Sequence, residues 1–229
     1  MWIPFLTLSV AMANQTVSIT TTDESQIHAI ARTAYGNRGV ILVHDENQTA
    51  ANWEGTAQMI HARGITTINL NLRGHGESRN PTDDGLDESD YQAMPLDVLA
   101  AVTWMTEQGV EQITCLGSGL GANLCVQAAS IVNEIDRVAL LSPGFNYQGV
   151  TSAAAARELG ERSMMIVYSD EDAYAERTSN YIAENASGPV SLVTRTGLGH
   201  GIRMLGRDPS LELMLVDWVD QSEPVGGEP

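Results

Sequence analysis

The sequence predicts an α/β protein with a mostly parallel central sheet wrapped by helices on both faces. Three observations carry that expectation. Short apolar runs such as Gly39-Val-Ile-Leu-Val43 lack the alternation of a half-exposed strand and suit strands buried on both faces. Stretches with apolar residues at helical spacing lie between these runs, joined by short links, the pattern of parallel strands connected by crossover helices. A chain of 229 residues with 43% apolar content can bury one sizeable core.

The elements follow in order. Residues 1–13, MWIPFLTLSVAMA, form an apolar run ending in Ala11-Met12-Ala13. The run resembles the apolar centre and small-residue cleavage site of a secretory signal, although it lacks the positive start. That reading implies export to a periplasm or the exterior; a mis-set start or a short apolar first strand implies a cytoplasmic chain instead. The run falls short of the roughly 20 residues needed to span a bilayer, so no stable membrane anchor is expected. Thr16 to Thr22 and Gln26 to Tyr35 flank Asp23-Glu24 and predict an antiparallel opening hairpin.

From Gly39 the buried-strand pattern begins, with a helix over about Asn52 to Arg63 and a second buried strand over Ile65 to Leu70. A helix over Leu96 to Glu107 and a strand over Gln112 to Leu116 come next. After them Leu120, Leu124, Ala128 and Ile131 recur at helix spacing. Strands over Arg137 to Leu141, Ser163 to Tyr168 and Val190 to Arg195 complete the sheet. The folded domain thus covers residues 14–221, and the Gly-, Pro- and Glu-rich tail at 222–229 reads as disordered.

The formal charge is −17, from 29 acids against 12 bases, all of them Arg. Such a surface repels phosphate backbones and anionic lipid, which excludes nucleic-acid binding and polybasic membrane docking as expected functions and leaves a small-molecule substrate or ligand. Cys115 and Cys125 make neither a disulfide framework nor a metal-ligand pattern, and read as small buried apolar side chains. No cofactor or metal site is expected. The sequence leaves the oligomeric state open.

Functional loops of an open parallel sheet leave the carboxyl ends of its strands. Three such loops carry chemistry: the turn after Leu116, the acidic loop Asp170-Glu171-Asp172, and the loop containing His200. The order is turn, acid, histidine, the order in which a strand-to-helix turn presents a nucleophile to a histidine oriented by an acid. The chain here resembles the α/β-hydrolases, in particular their small cap-poor dienelactone-hydrolase and esterase branches. The likeness runs from about Gly39 to Val219 and rests on Leu42-Val43-His44, Asn71-Leu-Arg-Gly-His-Gly-Glu-Ser78 and Leu116-Gly-Ser-Gly-Leu-Gly-Ala-Asn123. It continues through Leu140-Leu-Ser-Pro-Gly144, Ser169-Asp-Glu-Asp-Ala-Tyr174 and Gly197-Leu-Gly-His-Gly201.

The resemblance implies carboxylic-ester chemistry, with the nucleophile at Gly119, the base at His200 and the orienting acid at Asp172. Asp170 and Glu171 stand as substitutes for the acid. Serine is absent from position 119. Taking Ser118 as the nucleophile would put Leu116 and Leu120 where the tight turn wants small residues. The resemblance further implies an oxyanion hole from the backbone N–H groups of Leu120 and, approximately, Glu46. The family's His-Gly reads His44-Asp45 here, so the carboxylates of Asp45 and Glu46 would oppose a developing negative charge if they faced the hole. His75 reads as structural, and Asn71 replaces the family's usual Asp.

Only a short loop, Ser142 to about Thr151, stands where larger relatives insert a lid, so an open cleft is expected. Glycine at a positive-φ turn releases roughly 1–3 kcal/mol of strain, whereas losing a triad nucleophile lowers turnover about a million-fold. Three functions fit these residues. The chain is a hydrolase descendant that now binds a ligand or partner; or a hydrolase in which water fills the space left by the serine and His200, held by Asp172, activates it; or a serine enzyme whose nucleophile has been mutated.

Overall fold

The computed structural model describes residues 14–78 and 85–221; the apolar run at 1–13, read as signal-like, and the tail at 222–229, read as disordered, lie outside the described residues. Ten strands and eight α-helices alternate along them. The strands are β1 (Gln15–Thr20), β2 (Gln26–Arg32), β3 (Arg38–Val43), β4 (Thr66–Leu70), β5 (Gln112–Ser118), β6 (Ile135–Leu141), β7 (Asn146–Tyr147), β8 (Val150–Thr151), β9 (Ser163–Ser169) and β10 (Val190–Arg195). The helices are α1 (Glu54–His61), α2 (Glu88–Ala93), α3 (Pro95–Glu107), α4 (Leu120–Ile131), α5 (Ala153–Arg157), α6 (Ala173–Asn185), α7 (Arg203–Arg207) and α8 (Pro209–Asp220).

The large sheet runs β1-β2-β4-β3-β5-β6-β9-β10. The opening hairpin β1–β2 is antiparallel and β2 meets β4 antiparallel, while every pairing from β4 to β10 is parallel. The central strands feed two cores by alternation. Ile41, Val43, Val138, Leu140 and Ile166 face the side covered by α3, α4 and α6. Val40, Leu42, Ala139, Leu141 and Val167 face the side covered by α1, α7 and α8. Burial on both faces is why these runs read as continuous rather than alternating. Of the four spaced positions on α4, Leu120, Leu124 and Ala128 are buried, but Ile131 at the last turn is exposed.

Cys115 and Cys125 correct one expectation: they are joined in a disulfide, with Cα atoms 5.4 Å apart. The reason is the sharp turn between them. It lays α4 back along β5, so side chains ten residues apart in sequence meet under the turn.

Candidate functional site

The site is built on the carboxyl ends of β3, β5, β9 and β10. At the end of β5 the chain turns abruptly into α4 through Gly119, whose φ of 53° and ψ of −116° belong to a conformation that disfavours L side chains. The turn depends on its neighbouring glycines too. A Cβ at Gly117 would strike the Gly121 backbone, and one at Gly121 would strike the carbonyls of Val43 and His44. Small residues therefore let the strand and helix cross closely, and the first N–H groups of α4 point into the site with the positive end of the helix dipole behind them.

Ser118 sits one position before the turn and faces inward. It is fully buried, and its hydroxyl accepts from the backbone N–H of Ile202 at 2.9 Å, supporting the histidine loop from below. The imidazole of His200 has other partners. Its Nδ1 meets Asp172 Oδ2 at 2.5 Å, and its Nε2 lies 3.3 Å from Asp45 Oδ2. Burial opposes charge on His200, but the two flanking carboxylates outweigh it and raise its pKa.

Each acid of the Asp170-Glu171-Asp172 loop has its own task. Asp172 caps α6 by accepting from Ala175 N–H through Oδ1, which leaves Oδ2 for the histidine. Asp170 accepts from the Thr196 hydroxyl. Glu171 accepts from the N–H groups of Gly197 and Gly199 at 2.7 Å each, and from the Ser169 hydroxyl at 2.6 Å. The Ser169 hydroxyl bond leads the effects that hold Glu171 down near a pKa of about 2, with the two amides adding to it. Glu171 thus shapes the loop that delivers His200, and Ser142 assists by accepting from Gly201 N–H at 2.9 Å.

The loop after β3 supplies the feature that most alters the chemistry. Asp45 turns its carboxylate onto the elbow, and Oδ1 accepts from the backbone N–H of Leu120 at 2.9 Å and of Glu46 at 2.8 Å. These are the two donors named from sequence for the oxyanion hole, and both converge on one oxygen of the protein's own side chain. A Cβ on Gly119 would collide with Cγ and both carboxylate oxygens of Asp45. The space that a side chain at position 119 would enter is therefore taken by the Asp45 carboxylate.

His44 fixes this loop. Leu72 N–H can only donate, so His44 Nε2 must accept it, and Nδ1–H then donates to the Asp45 carbonyl at 2.8 Å. Burial is the main cause that lowers the His44 pKa to about 4, which keeps it neutral. His75 lies 5.0 Å from it, ring to ring, and donates to the Arg73 carbonyl, a packing role. Asn71 accepts from Ala50 N–H and ties the end of β4 to the segment before α1.

The short stretch after β6 is more than an open edge. It folds into the β7–β8 hairpin, whose Tyr147 ring stands edge-on 6.3 Å from His200 and whose Gln148 side chain donates across to Glu46. Tyr91 also donates to Glu46, at 3.0 Å. Even so, the His200 side chain keeps 36% of its surface exposed and that of Asp45 17%. Sequence reasoning named Gly119, His200, Asp172, Leu120 and Glu46, and the structure gathers them around one point; it leaves Ser118 beneath. The meeting of Asp45 Oδ1 with both N–H groups was raised only as a condition, and the brace made by Glu171 and the flanking Tyr147 were missed. The one sequence signal was Asp45 itself, a charged residue where a glycine was expected.

Among the described residues no cluster of His, Cys, Asp and Glu is arranged to hold a metal ion, and no helix is long and apolar enough to cross a membrane. No curated protein matches the sequence. Among solved structures, an esterase of Pyrococcus furiosus superposes with a TM-score of 0.72 at 13% identity, covering 91% of this chain and 92% of its own. A dienelactone hydrolase of Anabaena variabilis gives 0.72 at 14% identity, with 92% and 96% covered. A CIB-like hydrolase of Thermoplasma acidophilum gives 0.74 at 16%, with 91% and 99% covered. At such identities the likeness speaks for the fold. The family model for the alpha/beta hydrolase fold matches residues 40–181, well over half of the sequence, and the chain belongs to that family.

Proposed function

We propose that this chain is a small-molecule hydrolase-fold protein in which serine-type ester hydrolysis has been displaced, its reacting array being Asp45, His200 and Asp172. One observation carries the reading: a single oxygen of Asp45 takes both oxyanion-hole N–H groups, while the rest of its carboxylate fills the space of a side chain at Gly119. An acyl-enzyme route needs a hydroxyl at that position and an empty hole for the carbonyl oxygen. Both places are taken.

The residual rate of a triad enzyme without its nucleophile, roughly 10³–10⁴ over water, comes from the hole and from binding. With the hole occupied, that residue of activity is lost as well. The water-nucleophile alternative is disfavoured on the same ground. Non-catalytic binding is the second reading, favoured by the way Asp45 imitates a carboxylate product resting in the hole.

Fluorophosphonate labelling and aryl-ester hydrolysis test the proposal across the native chain, Gly119→Ser, Asp45→Gly and the Gly119→Ser/Asp45→Gly double variant. The single serine variant should stay silent, because the new Cβ collides with Asp45. The double variant should label and turn over ester. Labelling of the native chain, or of Gly119→Ser alone, would overturn the proposal. The disulfide also supports the exported alternative, since such bonds persist in oxidising compartments.

A further inference from the structure

Among the described residues the large sheet has two edges, and they are built differently. β1 exposes Gln15, Thr16, Ser18 and Thr20, all polar, whereas β10 at the other end pairs only with β9 and has apolar side chains beside its free side. Leu192 on β10 is 40% exposed, and Leu213 and Met214 on α8 are 46% and 39% exposed. Leu213 and Met214 line an open groove of about 490 Å³ between β10 and α8, together with Met165, Ser191, Val193 and Trp218. We propose that this edge is an interface between two copies of this chain, joined by antiparallel pairing of β10 with itself about a two-fold axis normal to the sheet.

Alternation along the strand fixes how two copies can meet. Val193 packs with the core under α8 and Val190 with the core under α6, so Ser191 and Val193 face α8 while Val190, Leu192 and Thr194 face α6. A two-fold axis normal to the sheet keeps each face with its copy, and residues opposite one another across the seam must share a face. Leu192 can therefore stand opposite itself, with Ser191 opposite Val193 and Val190 opposite Thr194. Centring the seam on Val193 would instead set the exposed Leu192 against Thr194; the first register buries the two leucines on each other. On the opposite face the two α8 helices flank the seam, and Leu213 and Met214 of both copies cover the groove over Ser191 and Val193.

Charge and area decide the occupant. Each copy carries −17, so two copies repel wherever their acids meet. β10 holds no acid, and its one charged residue, Arg195, is paired with Asp208. A strongly basic partner would find no row of carboxylates along this strand, whereas a strand edge with alternating N–H and C=O groups is complementary to its own copy. The edge is about 20 Å long and, with a helix layer on each side, about 25 Å deep, or roughly 500 Å² per copy. Twice that, about 1,000 Å², is near the lower limit for a specific interface. The dimer therefore depends on concentration and strengthens with salt, which screens the remaining repulsion.

Sedimentation velocity on the full chain and on Leu192→Asp, at about 0.1 M and about 1 M sodium chloride, tests the pairing. The native chain should pass from mostly monomer to mostly dimer as concentration and salt rise. Leu192→Asp, whose two carboxylates would face each other across the axis, should stay monomeric at both salts. Leu192 is exposed in the single copy, so this variant keeps its fold, which circular dichroism checks. Air oxidation of Leu192→Cys and Val193→Cys reads the register. Opposed residues of an antiparallel pair have Cα atoms about 4.5–5.5 Å apart, within reach of a disulfide. Cys115 and Cys125 are already joined, so the new thiol reacts alone. Leu192→Cys should give a covalent dimer on a non-reducing gel, and Val193→Cys should not. Three results sink the inference: a native chain that remains monomeric at both salts, a dimer that survives Leu192→Asp, or cross-linking of Val193→Cys in place of Leu192→Cys.

Discussion

At the scale of single residues, position 119 and Asp45 make sense only together. Glycine at 119 carries no side chain, and the Asp45 carboxylate occupies the space that one would take and accepts from the two adjoining backbone N–H groups. His200 sits between Asp45 and Asp172, and their hydrogen bonds raise its pKa against the burial that opposes charge. Charged His200 is therefore the stabilising form. Its contribution is fully present below the unfolded value of about 6.5 and is lost as pH rises through the higher folded value. Asp45→Asn removes one of the two raising partners, so the His200 pKa should fall. Titration of the imidazole by nuclear magnetic resonance in both chains checks this, and an unchanged or higher value in the variant would contradict the placing of Asp45.

Among elements, the segment from β5 through the turn into α4 positions the site, and the Cys115–Cys125 bond closes it beneath the turn. Both sulfurs belong to fully buried residues, so the bond replaces packing that two thiols would otherwise supply. Closing a loop of this length reduces the freedom of the unfolded chain by an amount worth about 2–3 kcal/mol. The Cys115→Ala/Cys125→Ala double variant should lose about that much in denaturant unfolding. Native stability in that variant would show that the pair contributes nothing through the unfolded state.

Across the whole molecule, 29 acids face 12 bases, and the Arg side chains are spread over local pairs such as Arg63 with Asp217 and Asp220. Exposed pairs contribute little each, while the unbalanced −17 repels itself throughout the surface. Salt weakens both, but the excess of like charge makes the repulsion dominant. The thermal midpoint should rise between about 0.1 M and 1 M sodium chloride, as the screening length falls from about 10 Å to about 3 Å. A midpoint that fell over this range would mean the Arg pairs outweigh the acidic excess.

By itself the sequence determined the sheet, its helices and the gathering of Gly119, Asp172 and His200, because buried parallel strands write continuous apolar runs and functional loops must leave their carboxyl ends. The Leu120 and Glu46 donors were legible for a related reason: backbone groups follow from position in the fold whatever side chains surround them. Only the tertiary structure decided what those donors hold. Asp45 and Leu120 are 75 residues apart, and no pattern along the chain says where a loop carboxylate will point. Likewise the disulfide, the Glu171 brace under the histidine loop and the Tyr147 hairpin beside it come from segments that only folding brings together. Hydrophobic periodicity records which face of an element is buried; it carries no record of which polar atom will meet which across a site.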